Sequence, residues 1–244
     1  MSTQSPDVSG HGLVGHTLDP LRYNSATHNP YEVTGILHDL MPSGVRVLDI
    51  GCGAGVITLI ANEGKSNTVY GVEPDPDRAK VSAERGLKME CGLLDSAYFE
   101  RHGRFDVIML IDVLEHLVDP QAMLALIKQG LNPGGRILLS VPNVAHWSVR
   151  LKLLFGRFDY TEIGIMDATH LRWFYEGSLR ALVESQGFTI TDVRQSAGTF
   201  LWSYSARPPF KWLPAGLRDR LIGRLTRLFP GLFGFQHVVS ATLG

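Results

Sequence analysis

The fold is decided by residues 45–55, which have the sequence VRVLDIGCGAG. The stretch begins as an apolar run with β-branched residues and ends in three glycines at alternate positions, and the apolar residues 56–62 follow at once. This pattern predicts a buried parallel strand, a tight turn and a helix that begins directly after the turn. Glycine allows the sharp turn and lets a ligand approach the backbone, because it has no Cβ. A helix N-terminus aimed at the same place favours polar or negative ligand groups.

A second apolar run, residues 68–73, ends in the acidic residue Glu73, 24 positions after Asp49. A carboxylate at the tip of the second strand is placed to bind two ribose hydroxyls, as in dinucleotide-binding folds. The Gly-x-Gly-x-x-Gly spacing that is usual in dehydrogenases is absent from the glycine turn. Asp-x-Gly-x-Gly-x-Gly followed by Glu73 instead resembles class I S-adenosylmethionine-dependent methyltransferases.

The resemblance continues through residues 105–112 and 131–135, and it covers most of residues 31–197. It implies an α/β fold with a doubly wound, seven-stranded, mostly parallel sheet of the Rossmann-like kind, whose last strand is antiparallel. The alternation of patterns predicts strands near residues 45–50, 67–73, 87–91, 105–111, 135–141, 188–194 and 236–242. It predicts helices near residues 31–41, 54–63, 75–86, 119–131 and 176–186. The segment at 132–135, Asn-Pro-Gly-Gly, is expected to be the turn before the fifth strand.

The composition is that of a globular protein with a sizeable core, because 44% of the 244 residues are apolar and 19% are charged. The net charge of −1 creates no overall field that would attract nucleic acid. The two cysteines, Cys52 and Cys91, do not suggest a disulfide framework, and the first residues show no signal peptide. No apolar run reaches the ~18 residues that a membrane span requires. We therefore expect a cytoplasmic protein.

The chain length fits one large α/β domain with additions. Residues 1–30 are polar and are expected to form an N-terminal arm, which either caps the cofactor or is loosely attached. Residues 31–244 are expected to form a single methyltransferase domain with substrate-side insertions at about 142–175 and 197–235. The second insertion joins the sixth strand to the last. Because the sixth strand ends on the cofactor side, we expect this insertion to emerge beside the active site.

The resemblance implies a set of residues that bind S-adenosylmethionine. The backbone of the glycine turn is expected to face the methionine part of the cofactor, Asp49 to lie near its amino group, and Glu73 to bind its ribose. Relatives usually place an aspartate beside the adenine at this level of the third strand, but here Leu93 follows the glycine and Asp95 comes two residues later. The expected cofactor-binding residues are Asp49, Gly51, Cys52, Gly53, Gly55, Glu73, Pro74, Leu93, Leu94, Ile111 and Asp112.

A polar cluster follows the fourth predicted strand. If a helical turn begins at Asp112, then Asp112, Glu115 and His116 share one face, at positions i, i+3 and i+4. His146 and His170 come later, within the first insertion. We take His116, His146 and His170 as the candidate catalytic residues, since the pKa of a histidine lies naturally near neutrality.

The Glu-His segment resembles two groups of methyltransferases that bind a divalent metal ion. Small-RNA 2′-O-methyltransferases hold magnesium with a Glu-x-x-Glu-His segment and a downstream His, and ubiquinone-pathway O-methyltransferases have a similar segment and a Thr-His loop. The ligands implied here are Asp112, Glu115, His116 and His170, and the expected ion is Mg²⁺ or Mn²⁺, although Fe²⁺ and Zn²⁺ also suit these donors. A metal would lower the pKa of a bound hydroxyl. Without a metal, the same residues would order the loop, contact the substrate or supply a base.

Two segments mix basic and apolar residues. The first, at 150–160, suits a sugar or aromatic acceptor, and amphipathic packing explains it equally well. The second, at 206–235, combines a leucine stripe with basic residues: Leu213, Leu217, Leu221, Leu225 and Leu228, with Arg207, Lys211, Arg218, Arg220, Arg224 and Arg227. Such a helix packs on its own domain, on a second subunit or on an anionic membrane surface.

The favoured function is O-methylation of a hydroxyl on a small molecule, a saccharide or a lipid-linked intermediate. An RNA 2′-O-methyltransferase is the first alternative, and the near-zero net charge and the lack of an evident RNA-binding module weigh against it. N- or C-methylation also remains open, because the cofactor motifs do not identify the acceptor atom. A non-catalytic binding protein that retains the cofactor fold is disfavoured by the intact glycines, Glu73 and the polar cluster.

Overall fold

The structure is a computed structural model that describes residues 26–201, residue 204 and residues 210–243. The strands are β1 (Arg46–Ile50), β2 (Thr68–Glu73), β3 (Lys88–Cys91), β4 (Phe105–Ile111), β5 (Leu131–Pro142), β6 (Phe188–Ser196) and β7 (Gln236–Leu243). The helices are α1 (Val33–Leu40), α2 (Val56–Asn62), α3 (Pro76–Glu84), α4 (Ser96–His102), α5 (Pro120–Gln129), α6 (Trp147–Leu154), α7 (Glu176–Ser185), α8 (Ala215–Leu228) and α9 (Pro230–Phe233). Two 3-10 turns cover Leu114–His116 and Phe210–Trp212.

All seven strands form one sheet in the order β3-β2-β1-β4-β5-β7-β6. Strands β1 to β5 pair in parallel, and β7 runs antiparallel to both of its neighbours, β5 and β6. The predicted α/β fold with a mostly parallel seven-stranded sheet is confirmed. The direction of the strand order reverses between β1 and β4, and in open α/β sheets ligands bind outside the carboxyl ends of the strands at such a point.

The core lies on both faces of the sheet. Along β4, Ile108 and Leu110 pack on the side of α4, α5 and α7, whereas Val107 and Met109 pack on the side of α1 and α2. Successive side chains of a strand point to opposite faces, so a strand that is covered on both sides is apolar at every position. This explains the continuous apolar run of β4.

Asp-Pro pairs start two of the helices, as the sequence predicts. The Asp75 carboxylate accepts hydrogen bonds from the backbone N–H groups of Asp77 and Arg78, both at 3.0 Å, and Pro76 opens α3. The Asp119 carboxylate accepts from the N–H of Ala122 at 2.9 Å before α5. Capping of this kind satisfies N–H groups that have no partner within the helix.

The structure differs from the predicted elements in three places, and one of them is α6, a helix that was not predicted within the first insertion. Helix α4 was not predicted, and it begins where the Asp95 carboxylate accepts a hydrogen bond from the N–H of Tyr98 at 2.8 Å. The expected turn at 132–135 lies inside β5, because Leu131 already pairs with Phe105 while Arg136 pairs with Val107. The intervening residues form an irregularity within the strand rather than a separate turn.

The segment before α1 meets the segment after β6 at the carboxyl edge of the sheet. The Glu32 carboxylate accepts hydrogen bonds from the N–H and the hydroxyl of Thr199 at 2.6 and 2.7 Å, just beyond the end of β6. The insertion at 197–235 leaves the sheet at this edge, since β6 runs in the same direction as β5. Most of the predicted N-terminal arm, residues 1–25, lies outside the described residues. Within the described part of the chain, no helix is long and apolar enough to cross a membrane.

Candidate active site

The glycine turn is built from backbone conformations that favour glycine. Gly51, Gly53 and Gly55 have φ angles of 69°, 57° and 78°, which other residues rarely adopt. A Cβ at Gly51 would also lie 2.9 Å from a methyl carbon of Val113, so the turn is packed against the segment that follows β4. At Gly53, by contrast, no described atom lies within 4 Å of the position of a Cβ. The middle of the turn therefore faces open space.

Asp49 is buried near the end of β1, behind the turn. One carboxylate oxygen accepts a hydrogen bond from the Thr58 hydroxyl of α2 at 2.5 Å, and the other has no partner among the described residues. Burial raises the pKa of Asp49 to about 7, and the nearby charge of Glu73 adds to this, against the opposing effect of the Thr58 bond. A buried carboxyl group with an unused oxygen is suited to receive an amino group.

The Glu73 carboxylate ties two loops together at the mouth of the turn. One oxygen accepts a hydrogen bond from the N–H of Gly53 at 2.9 Å, and the other accepts from the N–H of Asp75 at 3.0 Å. A carboxylate offers about four acceptor sites. These two bonds fix its orientation and leave acceptor capacity for hydroxyl donors. The structure thus brings Glu73 and the glycine turn into direct contact.

The remaining expected cofactor residues differ in how far they are buried. The Cys52 thiol lies 3.7 Å from the sulfur of Met89, and burial raises its pKa, so it acts as an apolar packing group. After β3, Leu93 is exposed and Leu94 is buried. Asp95, which follows them, is used as the cap of α4. Finally, Pro74 is exposed at the end of β2, and Ile111 is buried at the end of β4.

Asp112 does not join the other expected metal ligands. Its oxygens accept hydrogen bonds from the Ser140 hydroxyl and the Gln236 amide, both at 2.7 Å, on β5 and β7. It has a φ of 54°, in the left-handed region, and the 3-10 turn begins only at Leu114. The expected helical face at positions i, i+3 and i+4 therefore does not form. Burial raises the pKa of Asp112, with the two hydrogen bonds opposing this effect.

Glu115, His116 and His170 come together beside the glycine turn, since Glu115 lies two residues after Val113. One potential ligand atom from each of the three lies within 4.8 Å of the others. Glu115 is 1% exposed, and neither of its carboxylate oxygens has a hydrogen-bond partner among the described residues. Burial, together with the nearby negative charges of Asp112 and Asp167, raises the pKa of Glu115 well above its usual value.

The two imidazoles are held by backbone carbonyls. The Nδ1 of His170 lies 3.1 Å from the carbonyl of Ile165, and the Nδ1 of His116 lies 3.2 Å from the carbonyl of Thr169. This geometry favours Nδ1–H as the donor and leaves the lone pair on Nε2. The rings meet edge to face with their centroids 4.8 Å apart.

The loop that carries His170 is anchored to the 3-10 turn. The N–H groups of Leu171 and Arg172 both donate to the carbonyl of Glu115, at 2.8 and 3.0 Å. Asp167 accepts from the N–H and hydroxyl of Thr169 at 2.9 and 2.6 Å. These bonds set the spacing between the two segments that supply the polar groups.

The donor set fits a divalent cation. A buried carboxylate without a partner is unfavourable unless it takes a proton or meets a cation. Together with two imidazole nitrogens, it can supply three ligands and leave positions open for an acceptor. Glu115, His116 and His170 are therefore the residues that could hold a metal ion.

His146 lies apart from this group. Its ring is buried at the start of α6, where Nδ1 is 2.8 Å from the Ser148 hydroxyl and Phe235 and Trp147 lie alongside. Its Nε2 has no hydrogen-bond partner in the described part of the chain. Burial lowers the pKa of His146 to about 4, so the ring is neutral near pH 7.

Sequence reasoning missed Thr58, Ser140 and Gln236. Ser140 is the polar residue in the apolar segment 137–141, and such an interruption in a central strand could have marked it. Gln236 carries no local signal, because its partner Asp112 is 124 positions away.

Comparison with known proteins agrees with this geometry. The methyltransferase domain family matches residues 25–193. The "Ubiquinone biosynthesis O-methyltransferase" of Xanthomonas axonopodis pv. citri (strain 306) is 32% identical over 122 residues, which are 47% of this chain and 50% of that protein. The chain therefore spans about half the length of the curated relatives it matches.

Solved structures share the fold at low sequence identity. An S-adenosylmethionine-dependent methyltransferase from Archaeoglobus fulgidus superposes with a TM-score of 0.54 at 21% identity, covering 86% of this chain and 92% of the other. The [4+2]-cyclase SpnF superposes with a TM-score of 0.53 at 16% identity, covering 86% and 80%. A cyclase with this fold shows that the fold alone does not decide the chemistry.

The match over residues 25–193 includes the glycine turn, Glu73 and the Glu115–His170 cluster. The chain belongs to the methyltransferase domain family, as a class I S-adenosylmethionine-dependent methyltransferase.

Proposed function

We propose that this protein transfers the methyl group of S-adenosylmethionine to a hydroxyl oxygen of a small molecule. The observation that carries the proposal is the buried Glu115 carboxylate, which has no hydrogen-bond partner among the described residues and lies beside two imidazoles. It comes two residues after Val113, which approaches the glycine turn. A hydroxyl must lose its proton when it attacks a methyl group, whereas a neutral amine does not need to lose one beforehand. A cluster that can bind a cation or take a proton therefore favours oxygen as the acceptor atom.

In the proposed reaction, the acceptor hydroxyl releases its proton to solvent and its oxygen forms a bond to the methyl carbon. The carbon–sulfur bond breaks with its electron pair on sulfur, and S-adenosylhomocysteine is released. A divalent ion held by Glu115, His116 and His170 would lower the pKa of the hydroxyl and fix its position. Because Asp112 is bonded elsewhere, the set contains one carboxylate and two imidazoles, which suits Mn²⁺, Fe²⁺ or Zn²⁺ better than Mg²⁺. The carbonyls of Ile165 and Thr169 orient the two rings for this role.

Asp49 and Glu73 are proposed to hold the amino group and the ribose of S-adenosylmethionine. Their support is the unused oxygen of Asp49 and the remaining acceptor capacity of Glu73, on either side of the open middle of the glycine turn. The other expected residues of this site remain part of the same proposal. His146 is proposed as a positioning residue of the first insertion rather than a base, because its buried ring is neutral.

The acceptor is proposed to be a hydroxylated small molecule, with a glycan or lipid-linked compound as the narrower possibilities. The relatives named as ubiquinone biosynthesis O-methyltransferases support a hydroxyl group as the methyl acceptor. The match with this chain covers only half of their length. We also propose a cytoplasmic location, since Cys52 and Cys91 are both free thiols.

The test measures metal content, cofactor affinity and methyl transfer on the same preparations. Extensive chelation should remove a bound divalent metal and abolish S-adenosylhomocysteine release with a panel of phenolic and saccharide hydroxyl compounds. Calorimetry should show nearly unchanged S-adenosylhomocysteine affinity. His170→Ala should reproduce both effects, and the exposed His28→Ala serves as the matched control. Full activity after chelation would remove the metal from the proposal, and methylation of amines but not hydroxyls would overturn O-methylation.

A further inference from the structure

Helix α8 turns three of its four leucines to the solvent, and the fourth, Leu225, is half-buried. Its buried face is formed by Ile222, Gly223 and Thr226. A Cβ at Gly223 would overlap the ring of Tyr31, so glycine is what allows this helix to lie close to the N-terminal segment. The predicted leucine stripe is on another face. The helix is thus held to the domain by one side and presents a second apolar side outward.

The exposed leucines form a continuous strip. Leu217, Leu221 and Leu228 are 53%, 39% and 71% exposed, and the 100° step of an α-helix places them within about 40° of one another. Trp212 before the helix and Phe229 after it are also exposed. The strip from Leu217 to Leu228 is about 17 Å long, with an exposed aromatic residue before the helix and another after it, and such a strip is unusual on a surface that meets only water.

Arginines run along one side of this strip. Arg220, Arg224 and Arg227 are exposed, and none of them forms an ion pair with a described residue. The acid of the helix, Asp219, is paired with Arg218 at 3.3 Å. The helix therefore carries a local positive charge although the whole chain has a net charge of −1.

A second apolar and basic segment is attached to the same part of the molecule. The end of α6 exposes Leu154 and Phe155 beside Lys152. The indole N–H of Trp147, at the start of α6, donates to the Tyr204 hydroxyl at 2.7 Å, and Tyr204 packs with Ile222 of α8. Both helices are thus fixed to one small cluster at the carboxyl edge of the sheet.

A lipid surface satisfies both features of α8. An antiparallel two-fold pairing of the leucine strips would place the arginines of both helices on the same side of the interface, which is unfavourable. A nucleic acid would use the arginines and leave the leucines in water. In an anionic membrane, leucines enter the acyl boundary while arginines meet lipid phosphates.

We propose that α8, with Trp212 and Phe229, docks this enzyme on the surface of an anionic membrane. The chain continues from α8 through α9 into β7, whose first residue, Gln236, is bonded to Asp112. The connection that carries α8 therefore leaves and re-enters the sheet at the edge where Asp112 lies. The inference concerns the surface alone and does not depend on which hydroxyl is methylated.

The test is flotation of the full-length protein with vesicles of phosphatidylcholine alone or mixed with phosphatidylglycerol. The protein should bind only the phosphatidylglycerol vesicles at low salt. It should dissociate in about 0.5 M salt, because the salt screens the attraction between the arginines and the lipid phosphates. Changing Arg220, Arg224 and Arg227 together to Glu should reduce partitioning by about 100-fold or more. The matched control changes Lys80, Lys88 and Arg104 to Glu, with the same change in net charge, and should bind normally.

Variants of the leucines distinguish insertion into the lipid from electrostatic attraction to the headgroups. Leu217→Ser with Leu221→Ser should weaken binding to phosphatidylglycerol vesicles by at least tenfold without lowering the thermal midpoint, because both side chains are exposed. The blue shift of tryptophan emission on binding should decrease in Trp212→Phe.

Three results would overturn the proposal. These are no binding to phosphatidylglycerol vesicles at low salt, undiminished binding of the leucine variant, and dimerisation through the leucines without vesicle binding. Binding of a single-stranded RNA oligonucleotide that needs the arginines but not the leucines, with no vesicle binding, would assign the helix to nucleic acid instead.

Discussion

The cofactor side and the acceptor side of the site are assembled by contacts of very different length along the chain. On the cofactor side, Glu73 reaches Gly53 across 20 positions, and Thr58 reaches Asp49 across nine. On the proposed acceptor side, Thr169 meets His116 across 53 positions, and the N–H of Leu171 meets the carbonyl of Glu115 across 56. The first kind of site can be predicted from a short stretch of sequence. The second kind of site forms only after segments far apart in the sequence have come together in the folded protein.

The two sides also differ in how their charges are satisfied. Glu73 is held by two backbone N–H groups. Asp49 accepts one hydrogen bond, and its other oxygen has no partner in the described part of the chain. Glu115 is buried with both oxygens unpartnered among the described residues. A site whose polar groups already have hydrogen-bond partners can bind a ligand with little rearrangement. A site with unpartnered polar groups needs a proton, a cation or a substrate to supply the missing partner.

The largest effect should follow from changing Glu73. Glu73→Ala removes a charged acceptor from the proposed ribose contact and also releases the loop at Gly53, so S-adenosylhomocysteine affinity should decrease by about 1.5–3 kcal/mol. Calorimetry measures it, with the exposed Glu84→Ala on the neighbouring helix as control. Unchanged affinity in a folded Glu73→Ala protein would contradict the assignment of Glu73.

A smaller effect is expected on the stability of the fold when Gly51 and Gly53 of the turn are each changed to alanine. Gly53→Ala meets open space and should destabilise the fold only through its positive φ, by about 1–2 kcal/mol. Gly51→Ala has the same strain and in addition approaches Val113, so its midpoint in urea should be lower. Equal midpoints would mean that the turn and the segment after β4 are not tightly packed.

The smallest effect is the change in cofactor affinity over the single pH unit from about 6 to 7. The folded pKa of Asp49, about 7, lies above its unfolded value, so the protonated form is favoured in the free protein and ionisation costs stability as pH rises from about 4 to 7. The proposed amino-group contact needs the ionised form. The affinity for S-adenosylhomocysteine should therefore rise with pH up to about 7, by at most about tenfold per unit, and then level off.

Asp49→Asn should remove this dependence while keeping the hydrogen bond to Thr58. A calorimetric titration at several pH values gives the slope. A slope that persists unchanged in Asp49→Asn would assign the titration to another group.

Sequence reasoning was most successful where one periodicity or one motif determines the structure. The strands that form the core are apolar at consecutive positions, and the Asp-Pro pairs mark the N-termini of α3 and α5. Helix α4 was missed because its cap, Asp95, was considered only as a possible adenine contact. One side chain can serve either role, and the capping bond to Tyr98 decides it.

The candidate site was predicted less completely, for reasons of geometry. Helical spacing grouped Asp112 with Glu115 and His116, but the left-handed φ of Asp112 turns its carboxylate toward β5 and β7. The leucine stripe of α8 was identified from its spacing. Its exposure could not be predicted, because Gly223 and Ile222 form the packed face and the spacing of leucines does not show which side meets the domain.

The place of β7 in the sheet has a consequence for synthesis on the ribosome. This strand comes after all the other strands along the chain, yet it lies between β5 and β6 and pairs with both. Until it has emerged, β5 has an open edge, β6 has no neighbour in the sheet, and Asp112 lacks the Gln236 amide. The nascent chain can complete β1 to β4 with the glycine turn early, since these pairings are closer in sequence. The proposed site can be completed only after residues 236–243 have emerged, so a ribosome that stalls before them would leave a chain with a formed glycine turn and with Asp112 lacking its partner on β7.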